Sequence, residues 1–341
     1  MTAMAPRFSV IMPVYNGGDF IDVAIESVRT QSFGDFELLV CDDGSTDDTI
    51  DRVIEHANAD ERVRLLPRDA GRGPGARRNQ GLRSASAAWI AFLDADDLWH
   101  PQRLEWSNLA IEAAPDTALF FGDYQRFTQS LADSEPAVQA EKGFFDHRAD
   151  YAQEWITVGN DLRMLRCRSD RLLVYCCLRQ CPISTPAVTL RREILEREGI
   201  WFREDWQINE DFHVWMRLLE SGPSAALNKV LFYYRRNANS LTSHQIRYLE
   251  GMAASHGEWR GRINSRLSDE EQRIYRDKVA AFLQSAAWVH SREGRVVEAV
   301  WAHLRSLAVR CNAKDLSDLI RTVLRALWWA SRSMLARRAR P

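Results

Sequence analysis

Three acids, Asp94, Asp96 and Asp97, close an apolar run that extends from Trp89 to Leu93. A strand that leaves the core and stops in acids puts carboxylates at the C-terminal edge of a sheet, where open α/β sheets take their ligands. Asp94 and Asp96 are two apart, so in extended backbone they share one face and can share one cation. Hard oxygen ligands of this kind suit Mg2+ or Mn2+, held jointly with the phosphates of a substrate. Taken alone, the run reads equally as a solvated acidic loop with Asp97 capping a helix. The elements around it decide.

Strand and helix patterns alternate over residues 8–127. Phe8–Val14 is a continuous buried-strand run, followed by Phe20, Ile21, Ala24, Ile25 and Val28 at helical spacing. Phe36–Cys41 is a second apolar strand, and Ser45 with Asp48 predicts a capped helix through about His56. A short strand, Val63–Leu66, precedes a Gly-rich loop at 71–75 and a helix over about Ala76–Ser84. Pro101 is expected to open a further helix in its first turn, and Thr117–Gly122 to form a fifth strand. This order predicts a Rossmann-like, mostly parallel α/β sheet with helices on both faces.

Periodicity weakens over about 128–186, read as an insertion or a partly helical, acceptor-facing segment. It returns at Ala187–Leu190 (strand), Arg192–Glu198 and Glu210–Glu220 (helices) and Lys229–Tyr234 (strand). Beyond 245 the pattern is helical throughout. Residues 1–244 therefore read as one α/β domain and 245–341 as a helical C-terminal extension.

The chain has 341 residues, 45% hydrophobic and 27% charged, with a net charge of −2. Such a balance belongs to a soluble globular protein and gives no support for nucleic-acid binding. Cys167, Cys176, Cys177 and Cys181 lack paired CxxC spacing and a nearby His, which argues against a zinc set. Without a secretory signal, the expectation is reduced thiols in the cytoplasm. No apolar run reaches the roughly eighteen residues of a membrane span.

Further polar clusters follow the other strands. Val10-Ile11-Met12-Pro13-Val14-Tyr15-Asn16 ends in a Pro, an aromatic and an amide, and Cys41-Asp42-Asp43-Gly44-Ser45 ends in acids and a turn. Ala76-Arg77-Arg78-Asn79-Gln80-Gly81 is a basic helix start, and Asn209-Glu210-Asp211-Phe212 opens a later helix with acids. In this order and spacing the chain resembles glycosyltransferase family 2 from about Phe8 to Thr242.

That resemblance implies a GT-A fold and an inverting, non-processive transferase using a nucleoside-diphosphate sugar. Pro13, Tyr15 and Asp43 would contact the base; a stacking face and a carboxylate that accepts a base N–H suit uracil. Arg78 would approach the diphosphate or hold its loop, with Arg77 an extra or surface charge. Asp94 would touch ribose or metal, and Asp96 would hold the Mn2+ or Mg2+ that bridges the diphosphate. Asp211 would be the base that deprotonates an acceptor hydroxyl, with Glu210 and Arg235 as auxiliaries. Where the family often places a His, two residues past Arg235, this chain has Asn237. An amide there can hydrogen-bond but brings no charge.

The helix expected from about Leu319 to Arg338 carries Ile320, Val323, Leu324, Leu327, Trp328, Met334 and Leu335 on one side, and the last 21 residues hold six Arg and no acid. This composition suits a helix lying on an anionic membrane, at the inner face of the cell membrane and near a glycan or lipid-linked acceptor. Packing on its own domain or on a second copy in a homo-oligomer accounts for the stripe equally well. Two other functions remain open. A nucleotidyltransferase would need a basic, Gly-rich loop after the first strand, where this chain has Asn16-Gly17-Gly18-Asp19. A catalytically silent scaffold would dispense with Asp96 and Asp211.

Overall fold

The structure, a computed structural model, describes residues 5–67, 71–128, 150–159, 161–206, 208–236 and 245–324. The chain divides into two compact units, Met1–Ala238 and Asn239–Pro341. The first is built on one mixed sheet in which the order β3-β2-β1-β4 is parallel throughout. These strands are β1 (Phe8–Val14), β2 (Phe36–Asp42), β3 (Val63–Leu65) and β4 (Trp89–Phe92). Every residue of β1, β2 and β4 is buried, as strands covered on both faces require. Register pairs Val14 with Asp42 and Ile11 with Phe92, so the polar residues following β1, β2 and β4 emerge along one edge.

The connecting helices are α1 (Ile21–Arg29), α2 (Thr49–Ala59), α3 (Gly73–Ser84) and α4 (Arg103–Ala113). Ile21, Ala24, Ile25 and Val28 bury one stripe of α1, as their spacing predicts. The sequence of α3, GPGARRNQGLRS, is a poor intrinsic helix former, since each interior Gly costs about 1 kcal/mol against Ala. Packing holds it: a Cβ at Gly81 would lie 2.4 Å from Ile11 Cγ2, so only glycine lets α3 press onto β1.

Beyond β4 the sheet turns mixed. The short strand β9 (Thr189–Arg191) runs antiparallel between β4 and β6 (Leu119–Phe127). β10 (Ser224–Arg235) lies parallel to β6 and antiparallel to both β5 (Leu98–Trp99) and β8 (Arg163–Cys167). Part of the weakly periodic stretch is a hairpin of β7 (Ala152–Thr157) with β8, followed by α5 (Ser169–Leu178). α6 (Arg192–Glu198) and α7 (Glu210–Ser221) complete the unit.

Three local expectations are corrected. Ser45 does not cap α2, because its hydroxyl accepts from Asn16 N–H and its own N–H bonds Asp42. Pro101 lies in a turn ahead of α4, which starts at Arg103. The fifth long strand begins at Leu119 and runs to Phe127, past the expected Gly122.

The second unit contains α8 (Gln245–Ile263), α9 (Asp269–Arg292) and α10 (Val296–Val309), with residues 313–324 also helical. A capping box starts α9: Glu271 N–H donates to Ser268 Oγ, and Ser268 N–H donates to Glu271. Among the described residues no helix is long and apolar enough to cross a membrane.

Candidate active site

The turn after β2 divides its two acids by role. Asp42, fully buried, accepts from the N–H groups of Gly44 and Ser45 and so folds the turn. Asp43 is thereby turned toward α3, where it accepts from Arg72 N–H at 3.0 Å and Gly73 N–H at 2.9 Å. Arg77 reaches the same carboxylate at 3.2 Å and is itself 1% exposed, which corrects its reading as a surface charge. Tyr15 follows β1 with 61% of its surface exposed, leaving a ring face for stacking, while Pro13 is buried in β1.

The loop after β1 spends the backbone donors of its Asn-Gly-Gly turn inside the protein. The N–H groups of Asn16, Gly17 and Gly18 are taken by Ser45, Thr49 and Asp47 at 2.9, 2.9 and 3.0 Å. This counts against the nucleotidyltransferase reading.

Asp94, Asp96 and Asp97 follow β4 in a tight turn closed by Asp97 N–H on the Asp94 carbonyl. Asp94 and Asp96 are half-buried, but Asp97 is 1% exposed and accepts from Arg235 N–H at 2.9 Å. Burial pushes Asp97 well above the usual carboxylate range, and the charges of Asp96 and Asp94 add to the shift. Arg235 is spent inside the protein: its Nε donates to the Asp96 carbonyl, and its guanidinium lies 4.5 Å from the Phe127 ring. Through these bonds it holds the acidic turn.

Arg78 makes the central connection. It is 5% exposed, with Nη2 on Asp94 at 2.6 Å and Nη1 on Glu210. Burial opposes its charge, but Asp94, Glu210 and Asp211 together raise its pKa, so it stays protonated. Two carboxylates share this one guanidinium, and the charge of a third, Asp211, is felt by it. Burial accordingly pushes Glu210 up to about 7, with the Asp211 charge adding to the shift and Arg78 opposing it. One oxygen of Glu210, Oε1, is thus engaged by Arg78.

Asp211 lies at the first turn of α7, where the helix N-terminus favours a negative charge. Its Oδ2 accepts from Thr185 Oγ1 at 2.6 Å. The segment leading to α7 is pinned to α3 by Asn79, whose amide accepts from Phe202 N–H and donates to its carbonyl, both at 2.9 Å. Gly75 permits the close approach, since a Cβ there would sit 2.7 Å from the Arg203 carbonyl oxygen. Sequence reading missed Asn79 and Thr185 as working residues. Asn79 lay inside a quoted motif, whereas Thr185 had no signal. Asn237 lies outside the described residues, as do Ser240 and Thr242.

A divalent cation fits the acidic turn. Asp94 and Asp96 offer hard oxygens, and the crowding of negative charge around Asp97 is what a cation would relieve. Among the described residues no group of three or more His, Cys, Asp or Glu side chains is arranged to hold a metal. Two carboxylates would have to share the ion with substrate phosphates and water.

The profile of "Glycosyl transferase family 2" matches residues 9–166. Over 244 residues the chain is 28% identical to the Escherichia coli UDP-Glc:alpha-D-GlcNAc-diphosphoundecaprenol beta-1,3-glucosyltransferase WfgD, covering 71% of this chain and 82% of that protein. It is 29% identical over 246 residues to TuaG of Bacillus subtilis, named for teichuronic acid biosynthesis, covering 72% and 85%. In three dimensions it resembles TarS 1–349 of S. aureus in complex with UDP-GlcNAc (TM-score 0.55, 18% identity, 93% of this chain and 79% of that one). A mannosyltransferase of Pyrobaculum calidifontis in complex with GDP-Man and Mn2+ is similar to the same degree (TM-score 0.55, 17% identity, 97% and 84%). These likenesses carry the fold, a mixed, mostly parallel GT-A sheet followed by helices. With its motifs in family order along one sheet edge, the chain belongs to glycosyltransferase family 2 and is a nucleotide-sugar glycosyltransferase.

Proposed function

We propose that the protein transfers a sugar from a uridine diphosphate sugar to a hydroxyl of a lipid-linked glycan in surface polysaccharide synthesis, with inversion. The observation that carries this is Arg78. One guanidinium spans Asp94, in the donor-side acidic turn, and Glu210, next to Asp211. This bridge supports a reading in which the donor's leaving group and the candidate base meet at one place. Stacking on Tyr15 and a carboxylate at Asp43 suit uracil, and the donor and acceptor follow the names of the relatives.

In the reaction Asp211 takes the proton of the acceptor hydroxyl. The oxygen attacks the anomeric carbon on the face opposite the nucleotide, the bond to the diphosphate breaks, and the nucleoside diphosphate leaves. Asp96 and Asp94 would hold Mn2+ or Mg2+, which when bound would supply positive charge against the departing diphosphate. Arg78 keeps Asp94 and Glu210 in register, and Arg235 fixes the backbone of the acidic turn.

The decisive experiment is a screen of nucleotide sugars with Mn2+, reading thermal stabilisation and turnover on a synthetic GlcNAc-diphospho-lipid. Uridine diphosphate sugars alone are expected to stabilise and react. Preference for a guanosine donor would overturn the base assignment, and donor binding without any transfer would favour a scaffold. Residues 319–341 are proposed to lie on anionic lipid near that acceptor. In their described part, Ile320, Val323 and Leu324 are exposed. Phosphatidylglycerol vesicles should bind the full chain and release it when 319–341 are deleted; no binding by the full chain would sink this placement.

A further inference from the structure

We infer that Thr185 is the positioning residue of the general base, and that Trp99 and Arg103 hold Thr185 where it can act. This rests on Asp211 being the base. Thr185 opens a 3-10 turn, Thr185–Ala187, and is 5% exposed. A threonine hydroxyl has one proton, and here it points at Asp211 Oδ2, 2.6 Å away. That bond fixes the rotation of the carboxylate and leaves Oδ1 as the oxygen that would take the proton.

A buried cation holds the turn. Arg103 is fully buried, and its guanidinium stacks 4.0 Å from the Trp99 ring. Its Nη2 donates to the Val188 carbonyl, Nη1 to Thr189 Oγ1 at 3.2 Å, and Nε to the Pro186 carbonyl at 3.4 Å. Trp99 Nε1 donates to the same Pro186 carbonyl at 3.1 Å. These partners are neutral, and burial draws the Arg103 pKa down to about 9. Desolvating a guanidinium without a carboxylate partner is costly, whereas its planar fork binds several acceptors in one fixed geometry.

The fork grips the residues that follow Thr185. Trp99 belongs to β5, the strand that follows Asp94, Asp96 and Asp97 directly in the chain. One stretch of backbone thus carries the acidic turn and, through Trp99, Arg103 and Thr185, steadies the base.

The test compares Thr185→Val, Thr185→Ser, Arg103→Lys and Asp211→Asn in transfer from UDP-glucose to a synthetic GlcNAc-diphospho-lipid. Thr185→Val should lower kcat about 100-fold with KM for the donor unchanged, because small misplacements of reacting groups cost rate, not binding. Thr185→Ser, which keeps the hydroxyl, should recover most of the loss. Arg103→Lys should show the same kcat-selective loss and add nothing to Thr185→Val. Wild-type turnover by Thr185→Val beside an inactive Asp211→Asn overturns the inference and leaves the base assignment standing. An active Asp211→Asn removes that assignment first. Crystal structures of the wild type and Thr185→Val read the same point without turnover. The Asp211 carboxylate should leave its place in the variant; if it stays, Thr185 does not position it.

Discussion

The proposed donor side and the proposed base side of this site are built by different means. On the donor side, acids fold their own turns against nearby backbone: Asp42 takes Gly44 and Ser45 N–H groups, and Asp43 takes those of Arg72 and Gly73. Strand register then aligns the turns along one edge. On the base side, Asp211 is placed by a hydroxyl 26 residues earlier, and its helix is led in by a segment clamped to Asn79, 123 residues before Phe202. Local turn chemistry needs short, recognisable strings. Long-range side-chain clamps need only the right atom in the right place. Arg78 joins the two sides, and variants should separate them.

The largest effect should come from Asp211→Asn. It should cut kcat by about 1,000-fold, as loss of a general base does, while leaving Mn2+-dependent UDP affinity intact by calorimetry. A parallel loss of UDP binding would erase the distinction between the two sides. Asp96→Ala should do the reverse first, weakening Mn2+-dependent UDP binding about 100-fold. Equal UDP affinity with and without Asp96 would remove the metal from the donor side.

Asn79→Ala should cost about 2 kcal/mol in denaturant unfolding, since it strips buried Phe202 N–H and C=O of their partners. Transfer should fall more than UDP affinity does; the opposite order would make Asn79 a donor residue. The smallest effect concerns pH. Glu210 is raised from an ordinary 4.5 to about 7, so the folded state holds its proton over a window where the unfolded chain has lost it. Stability should therefore fall as pH rises from 4.5 to about 7, and Glu210→Gln should flatten that part of a Tm-against-pH curve. An unchanged slope in the variant would assign the dependence to another group.

This division explains what could be read from the residues alone. The run Phe8–Val14, the acids at 42–43 and 94–97, and the helix Arg192–Glu198 were legible because local pattern fixes them. The antiparallel insertion of β9 between β4 and β6 was not, since three residues carry no topology. Ser45 misled because its hydroxyl found Asn16 and not a helix N-terminus. Arg77 looked like surface charge, and only burial beside Asp43 shows otherwise. Arg235 was legible only as an auxiliary; its bond to the Asp96 carbonyl and its packing on two aromatic rings needed the fold.

The amide clamp at Phe202 has a practical side for protein engineering. It fixes one end of the stretch 203–209, while the Thr185 contact at Asp211 fixes the other. A loop anchored at both ends can be exchanged as a cassette. Libraries confined to 205, 206 and 208 would vary the approach to the proposed base while Glu204, bonded to Asn79 and paired with Arg72, stays in place, giving a route to new acceptor preferences on an unchanged nucleotide specificity.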